Sequence, residues 1–292
     1  EEGGSGKVYM VRAGLFDEVD TVVHWHPSDR NSANAETSLA NKSARFKFKG
    51  ISAHAAAAPE KGRSALDGVE AMNYMVNLLR EHVPQETRIH YVITQGGEAP
   101  NVVPDAAEVY YYVRHPEALE LLSLWQRVLD TSAAAALGTG TTVSVEVMHG
   151  NLSLLPNTPL AKAMHENLLA VGGVEYDLQD LEYANQIALS LGKSFIGLED
   201  EVMPYEETQG MGSTDVGDVS WVVPTVGLRT ATWVPGTSAH SWQAIAAGGT
   251  SIGTKGMLEG QSVAARPWFP QGLKGAFVGD GHHAALLGKL MG

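Results

Sequence analysis

Along residues 44–49 hydrophobic and charged side chains alternate. Phe46 and Phe48 fall on one side, Arg45, Lys47 and Lys49 on the other, the period of a half-buried strand. The period then lengthens. From 64 to 82, Ala65, Val69, Met72, Val76 and Leu79 recur at three- and four-residue steps, which lines one face of a helix, and Pro84 stops it. Further strands are predicted over 88–94, ending at Gly96-Gly97, and over 108–114. A second amphipathic helix is predicted over 116–137, closed by Gly138, and a last strand, rich in Val and Thr, over 141–148. Strand, helix, strand, strand, helix, strand is the split βαβ, ferredoxin-like order. It predicts a self-contained α+β unit over 42–150.

The flanks carry a different rhythm. Val22 and Val23 mark a short buried strand over 21–24, and a helix is predicted over 158–171 with Pro159 in its first turn. Another helix is expected over 180–191 and another strand over 225–228. Helices and strands alternating on both sides of a compact insert predict an α/β domain, 1–41 and 151–292, interrupted by the α+β unit.

Composition narrows the chemistry. The 292 residues are 44% hydrophobic and 18% charged, enough for two cores. With no cysteine, neither disulfides nor thiolate metal sites are available. Any metal must be held by His, Asp and Glu, of which there are eleven His and 33 acids. A net charge of −13 argues against a nucleic-acid surface and reads as solubility. No apolar run reaches the roughly 18–20 residues that span a bilayer, and no basic-then-apolar leader opens the chain, so a cytoplasmic compartment is expected. A start at Glu1-Glu2-Gly3-Gly4 without Met suggests sequence lost upstream.

Three places in the flanks gather metal-type ligands. In Glu1-Glu2, adjacent carboxylates on a turn point apart, so one can bind a metal while the other serves as general base; an exposed acidic pair reads equally from these residues. In His24-Trp25-His26-Pro27, imidazoles two apart on a strand face one side, at a strand end where α/β sheets bind ligands; a pair of hydrogen-bonded loop histidines is the alternative. His240, in Gly236-Thr237-Ser238-Ala239-His240-Ser241-Trp242, precedes a helix, as a ligand or as part of a capping loop. Within the insert, His54 follows a strand and a glycine, Asn101 lies in a Gly/Pro-rich connection that turn geometry alone could explain, and Arg114 closes a strand where it can meet a carboxylate two-handedly or serve as a rim charge.

In this order the segments resemble the aminoacylase/carboxypeptidase family of co-catalytic zinc metallopeptidases, most closely its p-aminobenzoyl-glutamate hydrolase branch. The resemblance is carried by EEGGSGK, VVHWHP, KGISAHAAAAPEKGRSALDGVEAMN, REHVPQETRIHYVITQGGEAPNVVPDAAEVYYYVRHP, MGSTDVGDVSWVVPT and GTSAHSW, over roughly residues 1–257. It implies an α/β zinc-binding domain with a ferredoxin-like lid or dimerisation domain inserted. It further implies Glu1 as general base, Glu2, His24 or His26 (with a lean to His26) and His240 as ligands of a divalent zinc or manganese, and a homodimer formed through the lid. His54 and Asn101 match residues that reach the scissile carbonyl, often from the partner subunit, and Arg114 a position near the substrate carboxylate. The implied substrate is an N-acyl amino acid, p-aminobenzoyl-glutamate or a dipeptide-like compound.

Two departures stand out. The family places its first ligand His and its metal-bridging Asp upstream of the Glu-Glu pair, so those ligands are expected to be absent here. Beyond Met257 the family continues with an Ala-rich helix, whereas Pro267 and Pro270 are expected to disrupt one in this chain. Asp280, His282 or His283, in a tail stretch resembling the missing upstream Gly-His-Asp segment, could replace a lost ligand. Two rival functions remain. One is a catalytically silent dimerisation or binding module. The other is an esterase using Ser52 or Ser213, neither of which sits in a Gly-x-Ser-x-Gly elbow.

Overall fold

The structure is a computed structural model that describes residues 5–195 and 197–266. Its elements are α1 (Gly6–Arg12), β1 (Val22–Ser28), β2 (Ser32–Asn34), β3 (Glu36–Thr37), β4 (Ala40–Lys49), α2 (Ala65–Leu79), β5 (Arg88–Gln95), β6 (Ala106–His115), α3 (Ala118–Thr139), β7 (Thr142–Asn151), α4 (Thr158–Val171), α5 (Leu178–Ser190), β8 (Thr208–Gln209), α6 (Val216–Ser220), β9 (Thr225–Ala231), α7 (Trp242–Gly248) and α8 (Ser251–Ala264).

The α+β arrangement is present as expected. Four antiparallel strands run in the order β5-β6-β4-β7, and α2 and α3 pack on one face. Ala44, Phe46 and Phe48 of β4, Val109 and Tyr111 of β6, Val69, Met72 and Val76 of α2 and Leu124 and Val128 of α3 form one core. The strand starts four residues earlier than predicted because Lys42, on the Phe46 side, breaks the hydrophobic alternation in the sequence. It is nevertheless buried, with its ammonium 5.7 Å from the Trp125 ring centre, an arrangement that a long amphipathic side chain permits. Helix α3 ends at Gly140 rather than Gly138: Gly140 adopts φ 66°, the left-handed conformation that glycine accepts without penalty.

The flanking segments fold together, as expected of an α/β domain with an insert. Parallel β1 and β9 with antiparallel β2 make a sheet in the order β1-β9-β2. Leu160, Met164 and Leu168 of α4 pack with Val226 and Leu228 of β9 and Val263 of α8. Two expectations are corrected here. The first strand does not end before the histidines but runs to Ser28, carrying His24, Trp25, His26 and Pro27 within it, paired to β9. Helix α8 continues past Met257 to Ala264, because both prolines expected to break it fall after its end. Among the described residues no helix is long and apolar enough to cross a membrane.

Candidate active site

A cavity of about 1020 Å³ opens between the β1-β9-β2 sheet and one end of the four-stranded sheet. Its first wall is β1. His24 is half-buried, and its Nε2 is shielded from solvent with no hydrogen-bond partner. Burial, helped by the charges of His26, Arg229 and Lys7, pushes this imidazole down to about 4, so it is neutral and keeps a lone pair at neutral pH. His26 is exposed, and its Nδ1 lies 2.8 Å from the Pro27 carbonyl oxygen. The Nδ1–H donates to that carbonyl, which leaves Nε2 with the lone pair, the tautomer of a metal-ligating imidazole oriented by its other nitrogen. His240 lines the same cavity at φ 63°, a left-handed conformation, one residue before the α7 N-cap Ser241. Ser241 Oγ accepts from the Ala244 N–H at 3.2 Å, which starts the helix and fixes the loop.

Two charged pairs frame these histidines. Asp215, its side chain fully buried, accepts from the Lys7 N–H at 2.9 Å and from Lys7 Nζ at 3.0 Å. Arg229 of β9 meets Glu36 of β3 two-handedly, Nη1 to Oε1 at 2.5 Å and Nη2 to Oε2 at 2.9 Å. Neither pair was foreseen, since partners about 200 residues apart leave no local signal; Asp215 does lie inside the family-like stretch MGSTDVGDVSWVVPT.

The second wall is the open face of the four-stranded sheet, opposite its helices. Arg114 stands over the Tyr112 ring, 5.2 Å from its centre, with a buried Nε that has no partner. Burial lowers its pKa from the ordinary arginine value, the mark of a cation kept from water. His149, which the sequence did not single out, meets the same ring edge-on at 5.1 Å. Ser213 Oγ is buried at the cavity with no partner, so no histidine activates it. Ser52 Oγ donates to the Val103 carbonyl at 3.1 Å, a structural bond that leaves the esterase reading without support.

His54 and Asn101 lie elsewhere. His54 bridges to Val102, Ala55 N–H donates to the Asn101 carbonyl, and His54 Nδ1 accepts from the N–H groups of Ala56 and Ala57, both at 3.2 Å. Both side chains are exposed. They sit beyond the Lys49 end of β4, whereas Arg114 pairs with Asn41 at the other end. At ~3.3 Å per residue the two ends are about 25 Å apart. Glu1 and Glu2 lie outside the described residues, as do Asp280, His282 and His283. Among the described residues no three His, Asp or Glu side chains assemble as a metal cage. The donors fit a divalent cation in kind, through the orphaned His24 Nε2 and the oriented His26, but do not close a ligand set by themselves.

Residues 40–139 match the peptidase dimerisation domain. This segment is a peptidase dimerisation domain. Around it, the chain is 41% identical to a p-aminobenzoyl-glutamate hydrolase polypeptide of Escherichia coli (strain K12), a match covering 88% of this chain and 60% of that protein. It is 34% identical to the Xaa-Arg dipeptidase of Mus musculus, covering 77% of this chain and 46% of that one. The chain thus spans less than two thirds of the length of these relatives. Among solved structures it resembles an aminobenzoyl-glutamate utilization protein from Klebsiella pneumoniae (TM-score 0.52, 17% identity, 89% of this chain and 58% of that one). It also resembles an amidase of the hydantoinase/carbamoylase family from Burkholderia vietnamiensis (TM-score 0.53, 14% identity, 94% and 55%). At these identities the likenesses show the fold: an α/β unit joined to the dimerisation domain, as the sequence resemblance implied.

Proposed function

We propose that this chain carries the greater part of a metal-dependent amidohydrolase site that cleaves the amide of an N-acyl amino acid such as p-aminobenzoyl-glutamate. The observation that carries the reading is one cavity holding three histidines on the side of β1 and α7 and a desolvated arginine on the dimerisation-domain side. The names of the relatives support the substrate class.

Glu2, His24 or His26, and His240 would hold zinc or manganese. When bound, such a cation lowers the pKa of a water and polarises the amide carbonyl. Glu1 takes the water's proton and returns it to the leaving nitrogen. Arg114 holds the substrate carboxylate, its bidentate geometry suited to that group. His54 and Asn101, about 25 Å along the sheet from this cavity, serve the cavity of a second copy, where a donor to the developing oxyanion is worth roughly 3–4 kcal/mol. The assembly is accordingly a homodimer through the dimerisation domain, and the proposal keeps the cytoplasmic compartment expected from the sequence.

Release of the aromatic amine from p-aminobenzoyl-glutamate, compared with its diamide, tests this reading. Cleavage of the acid with zinc or manganese supplied, lost in H240A, supports it; no cleavage of either compound contradicts it.

A further inference from the structure

His149 reaches the cavity through a defect in the sheet. Before the defect, β4 and β7 pair Ala44 with Val147, Arg45 with Glu146 and Phe46 with Val145. Val145 and Val147 therefore share the helix-facing side of Ala44 and Phe46, and Glu146 shares the open side of Arg45. After it, Ser43 pairs with His149 and Asn41 with Asn151, and Met148 is left without a partner. Strict alternation from Glu146 would have sent His149 toward α2 and α3. The extra residue returns it to the open face, beside Tyr112, which also pairs with Ser43 from the other side. Bulges that re-aim one side chain recur beside functional sites.

What the bulge delivers is a poor structural residue. His149 is 3% exposed, yet both its ring nitrogens are buried without partners, and it lies close enough to Arg114 to feel its charge. Burial and that charge both lower its pKa, so it stands as a neutral imidazole with one N–H to donate. Asn41 Oδ1 and Arg114 Nε at the same wall are also buried and unpaired. Leaving such groups unsatisfied is costly, and a ligand that accepts hydrogen bonds removes the cost.

We propose that His149 and Arg114, both braced on the Tyr112 ring, form one subsite that receives a carboxylate of the acyl amino acid, His149 supplying a neutral N–H beside the guanidinium. The inference rests on the amidohydrolase reading for its ligand class. The subsite selects carboxylate over carboxamide because two donors converge on it: a carboxylate accepts from both, whereas a carboxamide turns a donor of its own toward one of them.

The test is calorimetric titration of this chain with benzoyl-glutamate and with its diamide, without turnover. The wild type binds the acid more tightly than the diamide. H149F keeps the edge-on contact with Tyr112 and removes the donor; it weakens the acid about tenfold and leaves the diamide unchanged. H149Q, which keeps a neutral donor, stays within about threefold of wild type for the acid. Should H149F fail to fold, H149M replaces it. An acid affinity untouched by loss of the donor, equal weakening of acid and diamide, or a wild type that does not distinguish the two would overturn the proposal. Acid binding that depends on His149 in a chain that hydrolyses nothing with metal supplied sinks the amidohydrolase reading and leaves this subsite standing. Hydrolysis with an unchanged KM in H149F does the reverse.

Discussion

Asp215 holds Lys7 twice, by its backbone N–H and by its ammonium, at 2.9 and 3.0 Å. The bond ties α1, which follows directly on the Glu1-Glu2 pair, to the loop entering α6 on the cavity's rim. Because the carboxylate is wholly buried and the ammonium only 30% exposed, the pair is worth more than a surface ion pair but less than a fully desolvated one. D215N is expected to cost about 2 kcal/mol in urea unfolding and to lower amide hydrolysis further than that loss explains. Unchanged stability would show that the pair does not anchor α1.

Gly227 is required by His24. A Cβ at 227 would overlap the His24 ring at Nε2 and Cε1 and crowd Asn34, so the strand has no side chain there and the imidazole occupies the space. G227A should displace His24, costing about 1–3 kcal/mol and lowering zinc affinity at least about tenfold. Equal zinc binding by G227A and wild type would remove His24 from the ligand set and leave His26.

Stability should fall as pH rises through the acid range. Burial raises Asp218 and Glu259 to about 7 each, from ordinary values of 3.8 and 4.5. Each therefore binds its proton more tightly folded than unfolded. Their contribution is full below the unfolded values and is lost between about pH 4 and 7. E259Q cannot ionise, so it should flatten this slope and be about 1–2 kcal/mol more stable than wild type near ~pH 8. A variant less stable than wild type at that pH would show that the Glu259 carboxylate has a charged partner.

The dimerisation domain should pair two chains. Sedimentation at micromolar concentration is expected to give a dimer, and mixing an H54A chain with an H240A chain should restore hydrolysis, since each supplies what the other's cavity lacks. Monomer alone, or no rescue on mixing, would argue that His54 does not serve a neighbour's site.

How much could be read without coordinates depended on periodicity. The inserted unit was legible because its strands and helices alternate cleanly, and its boundaries slipped only where Lys42 interrupted the pattern from inside the core and where Gly140 rather than Gly138 took the left-handed turn. The histidines were legible as motif residues, although β1 proved longer than Val22 and Val23 suggested, because its later residues owe their strand to pairing with β9. The second wall was mostly invisible. Arg114 was named, but His149 depends on a bulge that no local pattern announces, and Glu36–Arg229 joins residues 193 positions apart.

The central claim is metal-dependent amide hydrolysis, and metal dependence tests it most directly. The chain is stripped with chelator, its metal content measured, and cleavage of p-aminobenzoyl-glutamate followed as zinc or manganese is returned. The account predicts no cleavage when stripped, recovery that tracks bound metal, and loss of both in H240A. Cleavage that survives complete removal of metal, or metal bound at His24, His26 and His240 with no cleavage at any occupancy, would contradict it.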